Sequence, residues 1–484
     1  MVSSEIASLA RTGGLGDVVE ALSRTLAEGG ADVVVVTPRY GPSRVPPGGR
    51  WWKEPVAAPL GPGRGREMRV YEAALGVGSG PRARVCMLED APLFDRDGIY
   101  GDARGGFADN ALRFAAMSSG ALGVAERAWD GALPDVVHAH DWHGAPAVVY
   151  ARTARGEAWS RVPTVLTVHN LAFQGVADAV ERESLGLPAE AWEGGWARHE
   201  GRVNLLKAGI HVADRVTTVS ETYAREIQGP LHGHGLDAHL RRHAAKLTGI
   251  VNGIDTHAFD PRTDAAVARR YGEADAPEGR RACKAELVAE LGLDAESPAP
   301  LFGVVSRLEW LKGIDLFLAI LPALAARGAR IVVEGTGARP LEDALQSAAD
   351  RWPRRVASRV AFDPALARRI FAGADFLVVP SREEPCGLTQ MYAMRYGAVP
   401  IVTPVGGLRD TVQPADTAHA VGTGFVAAGS DAISLLVACE DAIGIWRDSI
   451  AMEALVARAM ARDSSWPASA RRYLEVYASL GAIS

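Results

Sequence analysis

Cysteine is scarce in this chain, and what there is has no chemical spacing: Cys86, Cys283, Cys386 and Cys439 are scattered through 484 residues without a CxxC pair. That argues against a zinc ribbon and against a disulfide framework, and leaves four free thiols as the expectation. Long apolar runs are also missing, with nothing approaching the roughly 18 consecutive apolar residues of a membrane span. Met1 to Leu15 has neither a basic n-region nor an apolar h-region, so export and membrane insertion are not expected and the cytoplasm is the default compartment. Nor is there an excess of positive charge. The 52 basic and 58 acidic side chains leave a net charge of −6, which excludes a nucleic-acid footprint.

What is present is an apolar fraction of 48%, ample for a core, and a length that suits about three domains or two large α/β ones. Two distant segments share one plan of loop, helix and strand. The first runs from GGLGDVVEALSRTLAEGG into ADVVVVTP, with Val18, Val19, Leu22 and Leu26 on one helical stripe. The second runs from LFGVVSRLEWLKG through IDLFLAILPALAARG into ARIVVEGTG, with Leu316, Phe317, Ile320 and Leu324 on its stripe. Further apolar runs, DVVHAHDWH, TVLTVHN and DRVTTVSE in the first half and RVAFD, DFLVVPS and AVPIVTP in the second, read as buried strands alternating with helices. The pattern predicts an α/β protein of two Rossmann-like, doubly wound domains facing a central cleft. The boundary is expected near Lys246, after the polar HGHGLDAHLRRHAAK and before LTGIVNG, which is read as opening the second series. Pro42 to Arg66 and Asp260 to Arg281 read as surface loops, the second running into a helix.

Ligands of open α/β sheets bind beyond the carboxyl ends of the strands, and the chemistry-bearing stretches all fall there. In RTGGLGD, Gly13, Gly14 and Gly16 lack the strand and the spacing of a dinucleotide fingerprint, which weakens an oxidoreductase reading. A helix N-terminus with bare amides beside Arg11 remains as an anion site, against the plainer reading of a glycine turn. In SRLEWLKG, Arg307 and Lys312 share one strand-to-helix loop from which both can reach a pyrophosphate, two solvated charges being the alternative. In SREEPCGLTQ, Glu383 and Glu384 stand beside the amides of Gly387, Leu388 and Thr389, an acid for sugar hydroxyls next to amides for phosphate. Cys386 has no histidine near it in sequence and is read as a buried thiol, not a nucleophile. HAHDWH holds His138, His140 and His143, of which the first two alternate and so share one strand face, but no carboxylate or cysteine cluster completes a site, so no metal is expected; Asp141 at the strand end is the better functional candidate. TVHN brings His169 and Asn170 to another strand terminus.

Taken in order, RTGGLGDVVEAL, FDRDGIYGD, DNALRFA, VHAHDWH, TVHNLAFQG, NLLKAGIHVADRVTTVSETYAREI, GIVNGID, GVVSRLEWLKGID, AGADFLVVPSREEPCGLTQMYAMRYGAVPIVTPVGGLRDTV and SWPASARRYLEVY resemble the bacterial glycogen synthase and plant starch synthase family over nearly the whole chain. The resemblance implies a retaining GT-B glycosyltransferase that moves glucose from ADP-glucose to the nonreducing end of an α-1,4-glucan, with no metal and no cofactor beyond the donor substrate. It implies that Arg307 and Lys312 neutralise the departing diphosphate, and that Glu384 with the backbone of Cys386, Gly387, Leu388 and Thr389 holds the glucosyl hydroxyls and phosphate. Asp17, Tyr100, Asp141, His169, Asn170 and Asn252 match further positions around donor and acceptor, with the His169 carbonyl beneath the anomeric carbon. Phe362 falls where the family has a tyrosine near the adenine. The implied domains are 1–245, on the acceptor side, and 246–464, on the nucleotide-sugar side, with a final helix at 465–484 returning to the first and tying the lobes across a hinge.

Three departures stand out: Arg11 in place of a lysine, Glu383 in place of a phenylalanine, and an opening MVSSE that starts partway into the family's first strand, so that a short central strand or a late start is expected. They keep alternatives open. One is a relative using another nucleotide sugar or acceptor, and another is a glucan-binding homologue impaired in turnover.

Overall fold

The apolar runs fold into two units in the computed structural model, which describes residues 1–41, 45–75, 82–416 and 420–482. The first unit comprises Met1–Val219, Ala224–Ile250 and Trp466–Ser484, and the second Ser220–Tyr223 and Val251–Ser465. Among the described residues no helix is long and apolar enough to cross a membrane. All four cysteines are buried and unpaired.

In the first unit, Val34–Pro38 pairs in parallel with Arg84–Glu89, and Val137–His140, Thr164–Val168, Arg215–Thr218 and Leu247–Gly249 form a parallel row. Val2 bridges the two groups, lying parallel to both Val36 and Ala139. The residues after Val2 therefore emerge at the centre of the sheet, between strands whose connections run in opposite directions, which is where open α/β sheets hold ligands. Helix Gly14–Glu28 buries Leu15, Val18, Val19, Leu22 and Leu26. Trp466, Ala470, Tyr473, Val476 and Tyr477 of the terminal helix Trp466–Ala478 join the same cluster, so this helix belongs to the first unit. Each such fully buried large side chain contributes about 1.5–3 kcal/mol.

The second unit is a six-stranded parallel sheet in the order Val356–Arg359, Arg330–Glu334, Leu301–Val305, Phe376–Val379, Val399–Val402, Phe425–Val426. Strand order reverses between Leu301–Val305 and Phe376–Val379. Helix Ile314–Ala326 packs Phe317, Ile320 and Leu324 into the core on one face of this sheet.

Four expectations need correction. The stretch 42–66 is not all loop: Arg50–Trp51 and Val56–Ala58 pair antiparallel with Arg66–Ala74, so the sheet edge is mixed, while 42–44 lie outside the described residues. The VAA strand alternates buried, exposed, buried, a period-two signal too short to stand out among prolines and glycines. LTGIVNG closes the first sheet through Leu247–Gly249 and does not open the second, because three residues suffice for an edge strand. The preceding polar stretch is helical at Asp237–Arg242. RVAFD is not a strand; the strand is Val356–Arg359, and Asp363 instead caps helix Pro364–Gly373 by accepting from the amides of Ala365 and Leu366. Of the expected final helix, 483–484 lie outside the described residues.

Candidate active site

In the second unit the loops leaving Leu301–Val305 and Phe376–Val379 flank the reversal of strand order. Lys312 Nζ donates to Glu384 Oε2 at 2.7 Å, and Ser381 Oγ donates to the same oxygen at 3.0 Å. The two charged side chains are only 18% and 13% exposed, so this pair is well shielded from solvent. Gly313 has φ +65°, and a Cβ there would lie 1.8 Å from Pro380 O, so glycine alone permits the close approach of the two loops. Arg382 locks them together by forking onto Asp315 at 2.6 and 2.7 Å while stacking over Trp310.

Beyond Glu384 the chain turns at Gly387 and enters helix Thr389–Arg395, whose N-terminus has no side-chain cap. Cys386 is buried, and burial pushes its thiol up to about 12. It therefore stays protonated, with Asn252 hydrogen-bonded to it. Gln390 Nε2 ties the turn internally by donating to Gly387 O and to Thr411 Oγ1, each at 2.8 Å. Gly407 N donates to Glu384 O at 3.0 Å, and a Cβ on Gly407 would stand 1.9 Å from Cys386 O, so the GG of PVGGLRD is required by backbone contact.

Lys312, Glu384, Cys386, Gly387 and Asn252 are thus brought together, with Leu388 and Thr389 continuing into the helix. Arg307 is not joined to them: its guanidinium pairs with Glu309 at 2.7 Å and is 68% exposed. Phe362 is 84% exposed beyond the end of Val356–Arg359.

In the first unit the glycine loop is not the bare anion site expected. Glu5, buried behind it, accepts from the amides of Thr12 and Gly13 at 2.7 and 3.1 Å through one carboxylate oxygen. Its other oxygen accepts from the Tyr100 hydroxyl at 2.5 Å. An internal carboxylate thus takes the two amides that precede the helix, while the start of helix Gly14–Glu28 itself has no side-chain cap. Arg11 is partnered as well, at 3.0 Å from Asp17, whose carboxyl burial holds above its ordinary range. Sequence reading missed Glu5, although the rule applied to every other strand end flags MVSSE too. What persists is room: a Cβ on Gly13 or Gly14 would meet nothing within 4 Å, whereas one on Gly16 would press on Ala7 N at 3.0 Å.

Those open positions carry a prediction. Alanine is the better helix former, and Gly14 opens a helix. Gly14→Ala is expected to leave the thermal midpoint unchanged or raise it, yet to cost about tenfold in kcat/KM through lost ligand space. Scanning calorimetry and initial rates on one preparation check this, and a fall in both together would assign Gly14 to folding.

Asp141 takes the left-handed conformation, φ +53°, as the first residue of helix Asp141–Thr153. Its Oδ1 accepts from His169 N at 2.7 Å, and Asn170 N also hydrogen-bonds to the carboxylate. Burial raises Asp141 to about 7 against those two bonds. His169 Nε2 lies 3.1 Å from His140 Nδ1, and burial depresses His169 to about 3, so the imidazole is neutral. His138 has both nitrogens engaged, Nδ1 with the Tyr477 hydroxyl at 2.7 Å and Nε2 with Thr167 Oγ1 at 2.6 Å, which leaves no lone pair for a metal. His143 stacks on Tyr100.

Residues 1–242 match the starch synthase catalytic domain, and residues 299–442 match glycosyl transferases group 1. A glycogen synthase of Myxococcus xanthus is 43% identical over 485 residues, covering 98% of this chain and 97% of the relative. One from Anaeromyxobacter dehalogenans is 45% identical over 488 residues, covering 99% and 98%. The chain belongs to the glycogen and starch synthase family. Among solved structures, the catalytic domain of Arabidopsis thaliana starch synthase IV bound to ADP and acarbose matches with a TM-score of 0.86 and 30% identity, over 100% of this chain and 99% of that one. A sucrose-phosphate synthase from Thermosynechococcus elongatus shares the fold, with a TM-score of 0.60 and 19% identity over 100% of this chain and 98% of that one. As a member of the synthase family the chain is a GT-B hexosyltransferase.

Proposed function

We propose that the chain transfers glucose from ADP-glucose to the nonreducing 4-OH of an α-1,4-glucan with retention of configuration. The observation that carries the reading is the shielded Lys312–Glu384 pair beside the uncapped helix start at Thr389, at the reversal of strand order. Breaking a sugar–phosphate bond builds negative charge on the departing diphosphate, and a fixed ammonium with converging peptide amides lowers that barrier. Arg307 is assigned to the same diphosphate, exchanging Glu309 for it when donor binds. Glu384, Asn252 and the backbone from Cys386 to Thr389 are assigned to the glucosyl group and phosphate.

In the first unit we assign Asp141, His169, Asn170, Tyr100 and Asp17 to sugar contacts, with Arg11, Gly13 and Gly14 at the loop that leaves space. The His169 carbonyl is assigned to the reacting anomeric carbon, held by the Asp141 bond to the peptide nitrogen of the same residue. The reading needs no metal and puts the protein in the cytoplasm, in keeping with four unpaired cysteines.

The test is incorporation of radiolabelled glucose into glycogen from ADP-, UDP- and GDP-glucose by the purified protein. ADP-glucose is expected to be the preferred donor. Preference for another nucleotide would move the protein to a different donor class, and glycogen binding without nucleotide release would make it a glucan-binding homologue. Phe362 supplies a second check. Stacking of a base on an exposed ring is worth about 1–3 kcal/mol, so Phe362→Ala is expected to raise the donor KM about 5- to 160-fold and leave the thermal midpoint unmoved.

A further inference from the structure

Helix Leu205–Val212 and helix Asp237–Arg242 each run back to the amino ends of the first unit's strands, one preceding Arg215–Thr218 and the other preceding Leu247–Gly249. Their ends therefore lie at the edge of the sheet opposite to His169 and Asp141, which stand at carboxyl ends. Three histidines meet there. His211 closes the first helix, and His239 and His243, one helical turn apart, share a face at the second.

One ring nitrogen from each of His211, His239 and His243 lies within 4.8 Å of the other two, and among the described residues no other group of histidine, cysteine, aspartate and glutamate converges in this way. Three features prepare the rings as ligands. His239 Nε2 stands 3.1 Å from Lys207 O, so its proton goes to that carbonyl and Nδ1 keeps the lone pair, the arrangement that outer-shell carbonyls impose on metal-bound histidines. His243 Nε2 is buried without a hydrogen-bond partner. His211 is held in plane by stacking on Trp196, with ring centroids 5.3 Å apart at 7°.

We propose that His211, His239 and His243 bind a divalent transition-metal ion, zinc, with water in the fourth position of a tetrahedral site. Imidazole suits zinc, and three histidines with one open position are an established zinc donor set. Zinc–nitrogen bonds of about 2.0–2.1 Å require the three rings to close in on the ion from their present spacing. The nearby ammonium groups are engaged elsewhere: Lys207 Nζ donates to Gly195 O and Arg198 O, and Lys246 Nζ to His211 O and Ala213 O. The bound ion staples the two helices together at the amino edge of the sheet.

The test is zinc titration of the full chain, stripped with a chelator, by calorimetry, with elemental analysis after equilibrium dialysis. One zinc per chain is expected, a rise in thermal midpoint with zinc, and a tetrahedral visible spectrum when cobalt replaces it. His211→Gln and His243→Gln are each expected to weaken binding at least tenfold and to abolish the rise, while their metal-free thermal midpoints and glucosyl transfer match wild type. Zinc binding below stoichiometry by the unaltered chain, or equal binding by both variants, overturns the proposal. So does saturable binding of inorganic phosphate at these histidines in place of zinc, which would assign the cluster to an anion.

Discussion

Lys312→Ala lowers turnover by about 10²–10³-fold, the cost of removing one preorganised donor from a site of developing negative charge. Part of the change shows up as stability. Lys312 and Glu384 are 18% and 13% exposed, so deleting the lysine strands a shielded carboxylate whose other side-chain hydrogen bond comes from Ser381. That costs about 2 kcal/mol, and the thermal midpoint falls by a few degrees. A double variant separates the two effects. Lys312→Met with Glu384→Gln removes both charges of the shielded pair, so the midpoint recovers most of its loss, while turnover stays low because the ammonium assigned to the leaving diphosphate is still missing. If the double variant regains turnover along with the midpoint, Lys312 holds the loop and does not act on the substrate.

The second unit was legible in sequence because its signals are local. Continuous apolar runs gave four of the six strands; RVAFD lies about three residues past the strand Val356–Arg359, because Phe362 completes an apolar pattern where the chain presents it to solvent, and the two-residue edge strand Phe425–Val426 is too short to stand out. The glycines at 313 and 407 reflect contacts between segments far apart in sequence, which spacing does not encode; Gly407 is explained only by the Cys386 carbonyl it faces. Arg382 carries no signal for the same reason, since its partner Asp315 lies in the first turn of helix Ile314–Ala326, far away in sequence.

The first unit shows where motif reading misleads. RTGGLGD reads as an anion cradle on the strength of glycine and Arg11, and the structure divides that reading: Glu5 takes the Thr12 and Gly13 amides and Asp17 takes Arg11, while the helix start at Gly14 has no side-chain cap. A glycine loop announces close approach or open room without saying which, and Gly13, Gly14 and Gly16 divide between the two. His138 and His140 of HAHDWH share a strand face, as their alternation implies, but their partners, Tyr477 and Thr167 for His138 and His169 for His140, come from elements remote in sequence. The three histidines at 211, 239 and 243 carry no sequence signal beyond the one-turn spacing of the last two, because the third comes from a different helix.

Asp141 gives the second large effect, and its conformation dictates how to test it. At φ +53° an alanine would add backbone strain to the loss of an acceptor, whereas asparagine and glycine both tolerate that region. Asp141→Asn keeps an oxygen for the His169 amide and is expected to lose about tenfold in turnover; Asp141→Gly keeps the backbone but frees the 169–170 peptide, and is expected to lose about 10²-fold or more, as misplacement of a reacting group does. The pH dependence of stability separates them again. Burial raises this carboxyl from 3.8 to about 7, so the folded protein holds the proton more tightly than the unfolded chain across that window. Its contribution is fully present below pH 3.8 and is lost as pH rises towards about 7, above which both states are ionised and the dependence flattens. Asparagine cannot ionise, so the difference in thermal midpoint between Asp141→Asn and wild type should grow in the variant's favour from pH 4 to pH 7. A constant difference across that range would mean that Asp141 is ionised throughout, with the two peptide nitrogens outweighing burial.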